Sequence, residues 1–408
     1  MDTLHFKLGR ANEVESFGPL IARAPGVFAE MPPPSVVTGV RLLRPETQRS
    51  ATRSRTMRFP PIEYYLTEAV RIVGRGITLS AQNECIEQTL PFHHIPELNG
   101  SRDARGTCSA SFDRTIKIAG TALVLPVSSP SMSHFIFEGL SHIASEMSDV
   151  QKVILTCSRQ EYFEDVIHFL LGPHVEVLFR TPAKRAKECW AVERAYVPIY
   201  RFALHPAMME SVDKIVSACG QPQSDNGFIY ISRRDVNRYR IMLNEDRIIS
   251  RMSNLGFDVL ELGNMPEAEV IKKFSTAKMV VGPIGAGLYN SIFSPPGTAV
   301  LALAAPNYLR SFLNQCGAFR GLDLGYCFGP DFLSFEPEQR GGNNDFVLDE
   351  DEVVEAAVAL RSQILDRGPA AVQPQDPGGR PPLLTWKKEG LRSKAKLLLN
   401  GILSRVRN

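Results

Sequence analysis

One rhythm narrows the fold more than any other feature. From residue 129 onward, short apolar runs alternate with segments whose apolar residues recur at helical spacing. The pattern predicts a helix over Ser129–Met147, strand Val150–Thr156, helix Gln160–Leu171 and strand Val175–Phe179. It resumes with helix His205–Ala218, strand Gly227–Ser232, helix Asn244–Leu255, strand Phe257–Leu262 and helix Pro266–Ser275. Strand Met279–Gly282, a glycine-rich turn, helix Leu288–Phe293 and strand Ala299–Ala304 complete it. Strands separated by helical segments of this length are βαβ units, and these build parallel sheets covered on both faces. The chain is therefore expected to be α/β.

Two blocks in series, near 129–200 and 205–365, imply two Rossmann-like lobes. The expected organisation is an irregular N-terminal arm (1–60), a first lobe (61–204) and a second lobe (205–366). A Pro/Gly linker (367–385) and a basic amphipathic helix (386–408) follow. The arm assignment rests on the Pro-interrupted MPPPSVV stretch and on six Arg against one Glu within 41–58. Short β-prone pieces such as Gly76–Leu79 and Thr115–Val127 precede the alternating region. The final segment carries seven Lys or Arg and one Glu. Leu391, Leu398, Ile402 and Val406 recur near helical spacing there, the composition of a helix lying on anionic membrane.

Composition excludes several classes. Forty-six Lys and Arg against 44 Asp and Glu leave +2, so no whole-protein field draws nucleic acid. Apolar runs such as Thr121–Val127 are far shorter than the roughly 18 residues of a membrane-spanning helix. MDTLHFKLGR lacks the apolar core of a secretory signal, and seven cysteines without a CxxC pair fit a reducing compartment. A cytoplasmic location is expected, peripheral at the inner face of the membrane through the basic tail.

The chemistry concentrates in 228–306. Strand 227–232 ends in Ser232-Arg233-Arg234-Asp235, which sets two guanidinium groups at the carboxyl edge of a parallel sheet, where ligands of open α/β folds collect. Arginine binds phosphate through a planar fork and never loses its charge. Arg238 and Arg240 follow, and surface ion pairing with Asp235, Glu245 and Asp246 is the alternative use for this set. Gly282-Pro283-Ile284-Gly285-Ala286-Gly287 joins a strand to a helix, and free N–H groups at such a turn can bind a phosphate. The turn is neither GxGxxG nor a Walker A loop.

In order along the chain, YISRRD (230–235), LNED (243–246), GF-x-V (256–259), FS-x-A (274–277), VVGP-x-GAGL-x-N (280–290) and F-x-PPGT (293–298) closely resemble the C-terminal motif block of glycosyltransferase family 61. That family includes bacterial proteins of the capsular polysaccharide biosynthesis type. Upstream, Ser133–Glu138 is similar to the family's histidine-plus-acid helix, so the resemblance covers roughly 129–330. It implies a GT-B type fold, with parallel sheets facing a central cleft. It also implies inverting, metal-independent transfer from a nucleotide-sugar donor, the sugar being a hexose or pentose, to a surface polysaccharide or lipid-linked glycan. No cofactor beyond the donor is implied. The implied donor and phosphate groups are Arg233, Arg234, Arg240, Asn244, Gly285, Ala286, Gly287 and Asn290. Two departures stand out: Ile284 where many members have His, and Val300-Leu301-Ala302-Leu303 where they often carry an acid.

Inverting transfer needs a base for the acceptor hydroxyl and positive charge near the leaving diphosphate. His134 and Glu138, at i and i+4, share one helix face, with Glu138 preferred as the base and His134 as its neighbour. His142 extends that face and is read as structural. No metal is expected: Asp349-Glu350-Asp351 reads as a helix start, and His93-His94 has no ligands at suitable spacing. Cys157 and Cys189 are expected to be buried small residues. A non-catalytic sugar- or nucleotide-binding assembly factor and a nucleotide-sugar epimerase are the alternative functions, since fold alone does not separate them.

Overall fold

The computed structural model describes residues 2–9, 20–31, 33–43, 48, 53, 55–74, 76–90, 107–143, 147–180, 187–200, 204–220, 227–236, 240–306, 311–332 and 344–367. Residues 1–370 form one compact unit. The Pro/Gly linker, the basic tail, His93-His94 and Arg238 lie outside the described residues.

The first ten strands are β1 (Asp2–Gly9), β2 (Leu20–Ala24), β3 (Val27–Met31), β4 (Val36–Thr38), β5 (Arg55–Phe59), β6 (Ile62–Val73), β7 (Ile77–Leu79), β8 (Glu84–Ile86), β9 (Thr107–Phe112) and β10 (Arg114–Leu125). A helical segment, α1, comprises an α turn (Met132–His134), a π turn (Phe135–Gly139) and a 3₁₀ turn (Leu140–His142). Next come β11 (Lys152–Leu155), α2 (Glu161–Leu171), β12 (Glu176–Phe179), β13 (Glu188–Pro198) and α3 (Met209–Cys219). They lead into β14 (Phe228–Ile231), α4 (Glu245–Asn254), β15 (Asp258–Leu260), α5 (Glu267–Ser275), β16 (Met279–Pro283) and α6 (Ala286–Tyr289). The last elements are β17 (Ala299–Ala304), α7 (Ser311–Arg320), β18 (Asp323–Phe328), β19 (Asp331–Phe332), β20 (Asp345–Phe346) and α8 (Glu350–Arg367).

Two larger sheets organise the described residues. The second, in the order β15-β14-β16-β17-β18-β4, is parallel throughout. Its central strands are buried along their whole length, and their alternate residues feed two cores. Ile229, Ile231, Val280, Val300 and Ala302 face the cluster shared with the first sheet. Tyr230, Met279, Val281 and Leu301 face α4 and α8. This is the two-residue period of a strand covered on both sides.

The first sheet runs β12-β11-β10-β13-β6-β2, with β7 beside β6. Strands β10 to β13 pair in parallel, whereas β6 is antiparallel to its neighbours. Helices α1 and α2 cover one face, where Phe163, Val166, Ile167 and Leu170 of α2 recur at helical spacing. The other face carries its own cluster, including Tyr65, Val70, Val124, Ile154, Val192 and Val197. Irregular backbone occurs in two strands: at Ala69 (φ 53) in β6, and in β10 at the register shift between Ile118 and Thr121, which contains Gly120, whose N–H donates to Glu193. Ile72, Ile118 and Trp190 share one cluster with Val124, Ile154 and Leu178. Arg180, buried after β12, donates to the carbonyls of Gly74 (3.1 Å) and Glu188 (2.6 Å) and lies over Trp190, tying β12, β13 and the end of β6 together.

The N-terminal 60 residues differ from the expected irregular arm. They contribute β1 to β5, with β2 in the first sheet and β4 at the edge of the second. The β3–β5 pair packs on α7 through Phe59 and Phe319 (ring centroids 4.7 Å). Hydrophobic residues from both sheets meet in one continuous cluster, from Leu123 and Leu155 to Val280 and Val300. Asp349 caps α8 by accepting from the N–H groups of Asp351 and Glu352, as the acidic start of that helix implied.

Glu267, at the start of α5, is buried with Oε1 lacking a hydrogen bond among the described residues. Burial, then the charge of Asp165 on α2, pushes its carboxyl up to about 7 from the 4.5 of an unfolded chain. The folded state therefore holds this proton to higher pH. The associated stability is full below about 4.5 and is lost as the pH rises through about 7. Glu267→Gln should raise the melting temperature at about pH 8, by the equivalent of about 1–3 kcal/mol, and leave it nearly unchanged at about pH 4. Equal shifts at both pH values in thermal melts would contradict this assignment.

Candidate active site

The candidate site gathers residues that follow the carboxyl ends of parallel strands from both sheets. Ser128 follows β10, Tyr200 follows β13, Arg233 follows β14, and the glycine turn follows β16. Helix α1 packs directly on α6, with Phe137 edge-on to Tyr289 (5.2 Å) and tilted against Phe312 (4.2 Å). The histidine-plus-acid segment thus lies beside the glycine turn.

Helix α1 starts at Ser131, whose Oγ accepts from the His134 N–H at 3.4 Å. The π turn that follows contains Glu138. Such turns are rare and concentrate at functional sites. Glu138 is 0% exposed. Its Oε2 accepts from the Ser128 N–H at 2.5 Å, and its Oε1 from the Ser128 hydroxyl at 2.6 Å and the Tyr200 hydroxyl at 2.8 Å. His134 Nδ1 lies 3.1 Å from Oε1 and 2.9 Å from Ser128 Oγ, and its side chain is 33% exposed. Glu138 is thus sealed from solvent and met by donors on both oxygens, and the solvent-facing member of the pair is His134. His142 is buried with its ring edge-on to Tyr64, and its carbonyl accepts from the Tyr64 hydroxyl at 2.9 Å.

On the opposite side, the glycine turn and two of the arginines come together. A Cβ on Gly285 would collide with Nη1 of Arg233, so the absence of a side chain there lets the guanidinium lie against the turn. Gly282 serves a different need, because a Cβ there would stand 2.8 Å from the carbonyl of Ile231 in the neighbouring strand. Arg233 is anchored by its N–H, which donates to Glu245 Oε1 at 2.9 Å, and Tyr230 donates to the same oxygen at 3.4 Å. Burial pushes the Glu245 carboxyl up, and these donors with the charge of Arg233 oppose the rise. Arg240 adopts a left-handed backbone (φ 56) and directs Nη1 to the carbonyl of Ile284 at 3.5 Å. Two guanidinium groups therefore flank the turn that also carries Ala286 and Gly287 at the start of α6.

Other residues of the expected set lie elsewhere. Arg234 is exposed and pairs with Glu261 (2.9 Å) and Asp246 (3.4 Å), the surface ion-pair role weighed for this group. Asn244 is used up by the backbone: its Nδ2 donates to the Leu348 carbonyl at 2.8 Å and its Oδ1 accepts from the Leu348 N–H at 3.2 Å. Asn290 is 5% exposed, and its Oδ1 has no hydrogen bond among the described residues. Ile284 and Ala302, the two departures, are buried members of the core between the sheets.

Three contributors escaped the sequence reading: Ser128, Tyr200 and Glu245. The first two sit just past parallel strands, and strand ends were the one available signal. Burial, then the Glu138 charge, pushes the Cys157 thiol up to about 12, and all seven cysteines are buried and free. Among the described residues no group of three or more His, Cys, Asp or Glu is arranged to hold a metal ion, and no helix is long and apolar enough to cross a membrane.

Residues 132–301 match the protein family described as Glycosyltransferase 61. The matched stretch contains His134, Glu138, Tyr200, Arg233, Arg240 and the glycine turn, whereas Ser128 lies just before it. The match supports a transferase. Within that class it supports a glycosyltransferase of family 61. No curated protein matches the chain.

Arg233 lies against the glycine turn, whereas Asn244 bonds the backbone of Leu348. Arg233→Lys keeps the charge and loses the fork, so it should weaken nucleotide-sugar binding by about 1–3 kcal/mol with the melting temperature unchanged. Asn244→Ala should do the reverse, costing about 1–3 kcal/mol of stability through the unpaired Leu348 groups and leaving affinity intact. Calorimetric titration and thermal melts of both variants read the two effects.

Proposed function

We propose that this chain is an inverting, metal-independent glycosyltransferase of GT-B type. It moves a hexosyl or pentosyl group from a nucleotide sugar to a surface polysaccharide or lipid-linked glycan. The observation that carries the reading is the packing of the His134–Glu138 helix against α6, opposite a glycine turn flanked by Arg233 and Arg240. The family match over 132–301 supports it.

In this reading the acceptor oxygen bonds to the anomeric carbon as the bond from that carbon to the diphosphate breaks. The acceptor proton passes to Nε2 of His134, and the imidazolium is stabilised by the negative Glu138 behind it. Arg233, Arg240 and the N–H groups at the start of α6 meet the charge that develops on the leaving diphosphate, and preorganised charge of this kind is a large part of catalysis. Ile284 and Ala302, the two departures, are buried in the core between the sheets. With purified protein and a panel of donors, His134→Gln should lower turnover by roughly 10²–10⁴ while donor affinity is retained. Full activity in that variant removes His134 as base, and binding without turnover by the wild type favours an assembly factor. Epimer formation without acceptor favours the isomerase.

A peripheral cytoplasmic location also belongs to this reading, with 386–408 on anionic membrane beside the acceptor. The full chain should co-sediment with anionic liposomes at low salt and a chain ending at Gln373 should not. Equal sedimentation of the two overturns the anchor.

A further inference from the structure

Glu138 presents an unusual balance: a carboxylate with no solvent contact, supplied with hydrogen bonds by residues from two other strand ends. Burial penalises the charged form of a carboxyl group, and donors to the charged form restore it. Three of the donors, the N–H and hydroxyl of Ser128 and the hydroxyl of Tyr200, need no proton from Glu138 itself. Burial, and then the Glu138 charge, pushes the Tyr200 hydroxyl well above its ordinary range, so Tyr200 stays an O–H donor. The neighbouring Cys157 is likewise held as a neutral thiol, so no second negative charge competes at this spot.

The consequence falls on His134. Ser128 has one hydroxyl proton, and it is given to Glu138 Oε1 at 2.6 Å. Toward His134 Nδ1, at 2.9 Å, Ser128 Oγ therefore presents a lone pair, and Glu138 Oε1 at 3.1 Å does the same. A ring nitrogen facing two acceptors must carry the proton. The lone pair of the neutral ring is then on Nε2. If Glu138 were protonated instead, its O–H would donate to Nδ1, the ring proton would move to Nε2, and the ring could not accept a proton there.

We propose that Tyr200 and Ser128 are positioning residues that keep Glu138 charged and thereby lock His134 in its Nδ1–H tautomer. Their importance for turnover rests on the reading of His134 as base. The lock itself is a property of the resting protein and is measured without any sugar donor.

The experiment is nitrogen-15 NMR of the full chain labelled at histidine, with His134→Gln identifying the His134 signals. In the wild type at about pH 8, Nδ1 should show the shift of a protonated ring nitrogen and Nε2 that of an unprotonated one. In Tyr200→Phe and in Ser128→Ala the ratio of Nδ1–H to Nε2–H tautomers should fall by about tenfold, the effect of one hydrogen bond to a charged group. Ser128→Thr, which keeps the hydroxyl, should retain the wild-type ratio. Thermal melts establish that each variant is folded, and the three substitutions protect the test against failure of any one. A wild-type ratio in both Tyr200→Phe and Ser128→Ala overturns the proposal, even if their activity drops. With a functional donor in hand, kcat should fall by about tenfold in Tyr200→Phe and the donor KM should stay constant. A shifted tautomer ratio in a chain that turns over no donor upholds the lock and rejects the catalytic reading of His134.

Discussion

The contact of Phe137 with Tyr289 and Phe312 holds the first sheet's helix against the second sheet's glycine-turn helix. Aromatic side chains bury large areas and prefer edge-on or offset geometries, so such a cluster fixes both distance and angle. Phe137 belongs to the same π turn as Glu138, one residue before it. A displacement of the ring is therefore transmitted to the acid through a single peptide unit. Around it, Ile136, Phe135, Leu140, Leu288 and Ile292 are fully buried in the same cluster. The spacing between the His134–Glu138 pair and the arginine-flanked turn is a packing property before it is an electrostatic one.

Much of this was legible in the sequence where local pattern and tertiary role coincide. The second sheet's strands, buried on both faces, read as continuous apolar runs: Ala299–Ala304 was expected with the bounds observed, and β14 and β16 within a residue. That Arg233 lies beside the glycine turn was legible because both follow neighbouring strands of one parallel sheet, β14 and β16. The first 60 residues were not legible, because β2 and β4 are short edge strands whose partners lie at residues 62–73 and 323–328. Their pairing is specified by tertiary contacts and leaves little local periodicity. The bonds of Asn244 were hidden for a related reason: both go to Leu348, 104 positions away. The burial of Glu138 was not legible either, since a helix-face argument cannot see that Ser128 and Tyr200 close over it.

In the first sheet one bulge interrupts the pairing of β10 with β13, at Gly120 between Ile118 and Thr121. Pairing resumes from Thr121 with Arg194 to Leu123 with Tyr196, so Ser128 and Tyr200 follow adjacent parallel strands at nearly one level.

Strand β4 reaches the second sheet from residues 36–38 and pairs in parallel with β18, some 290 residues later in the chain. During synthesis residues 36–38 leave the ribosome some 290 residues before their partner. That segment must wait unpaired until residues 323–328 appear, so the second sheet closes only then. Long loops of this kind delay closure and keep an edge strand open meanwhile. A fragment beginning at residue 205 would lack the strand that covers β18, and the second half of this chain is in that sense not a separable folding unit.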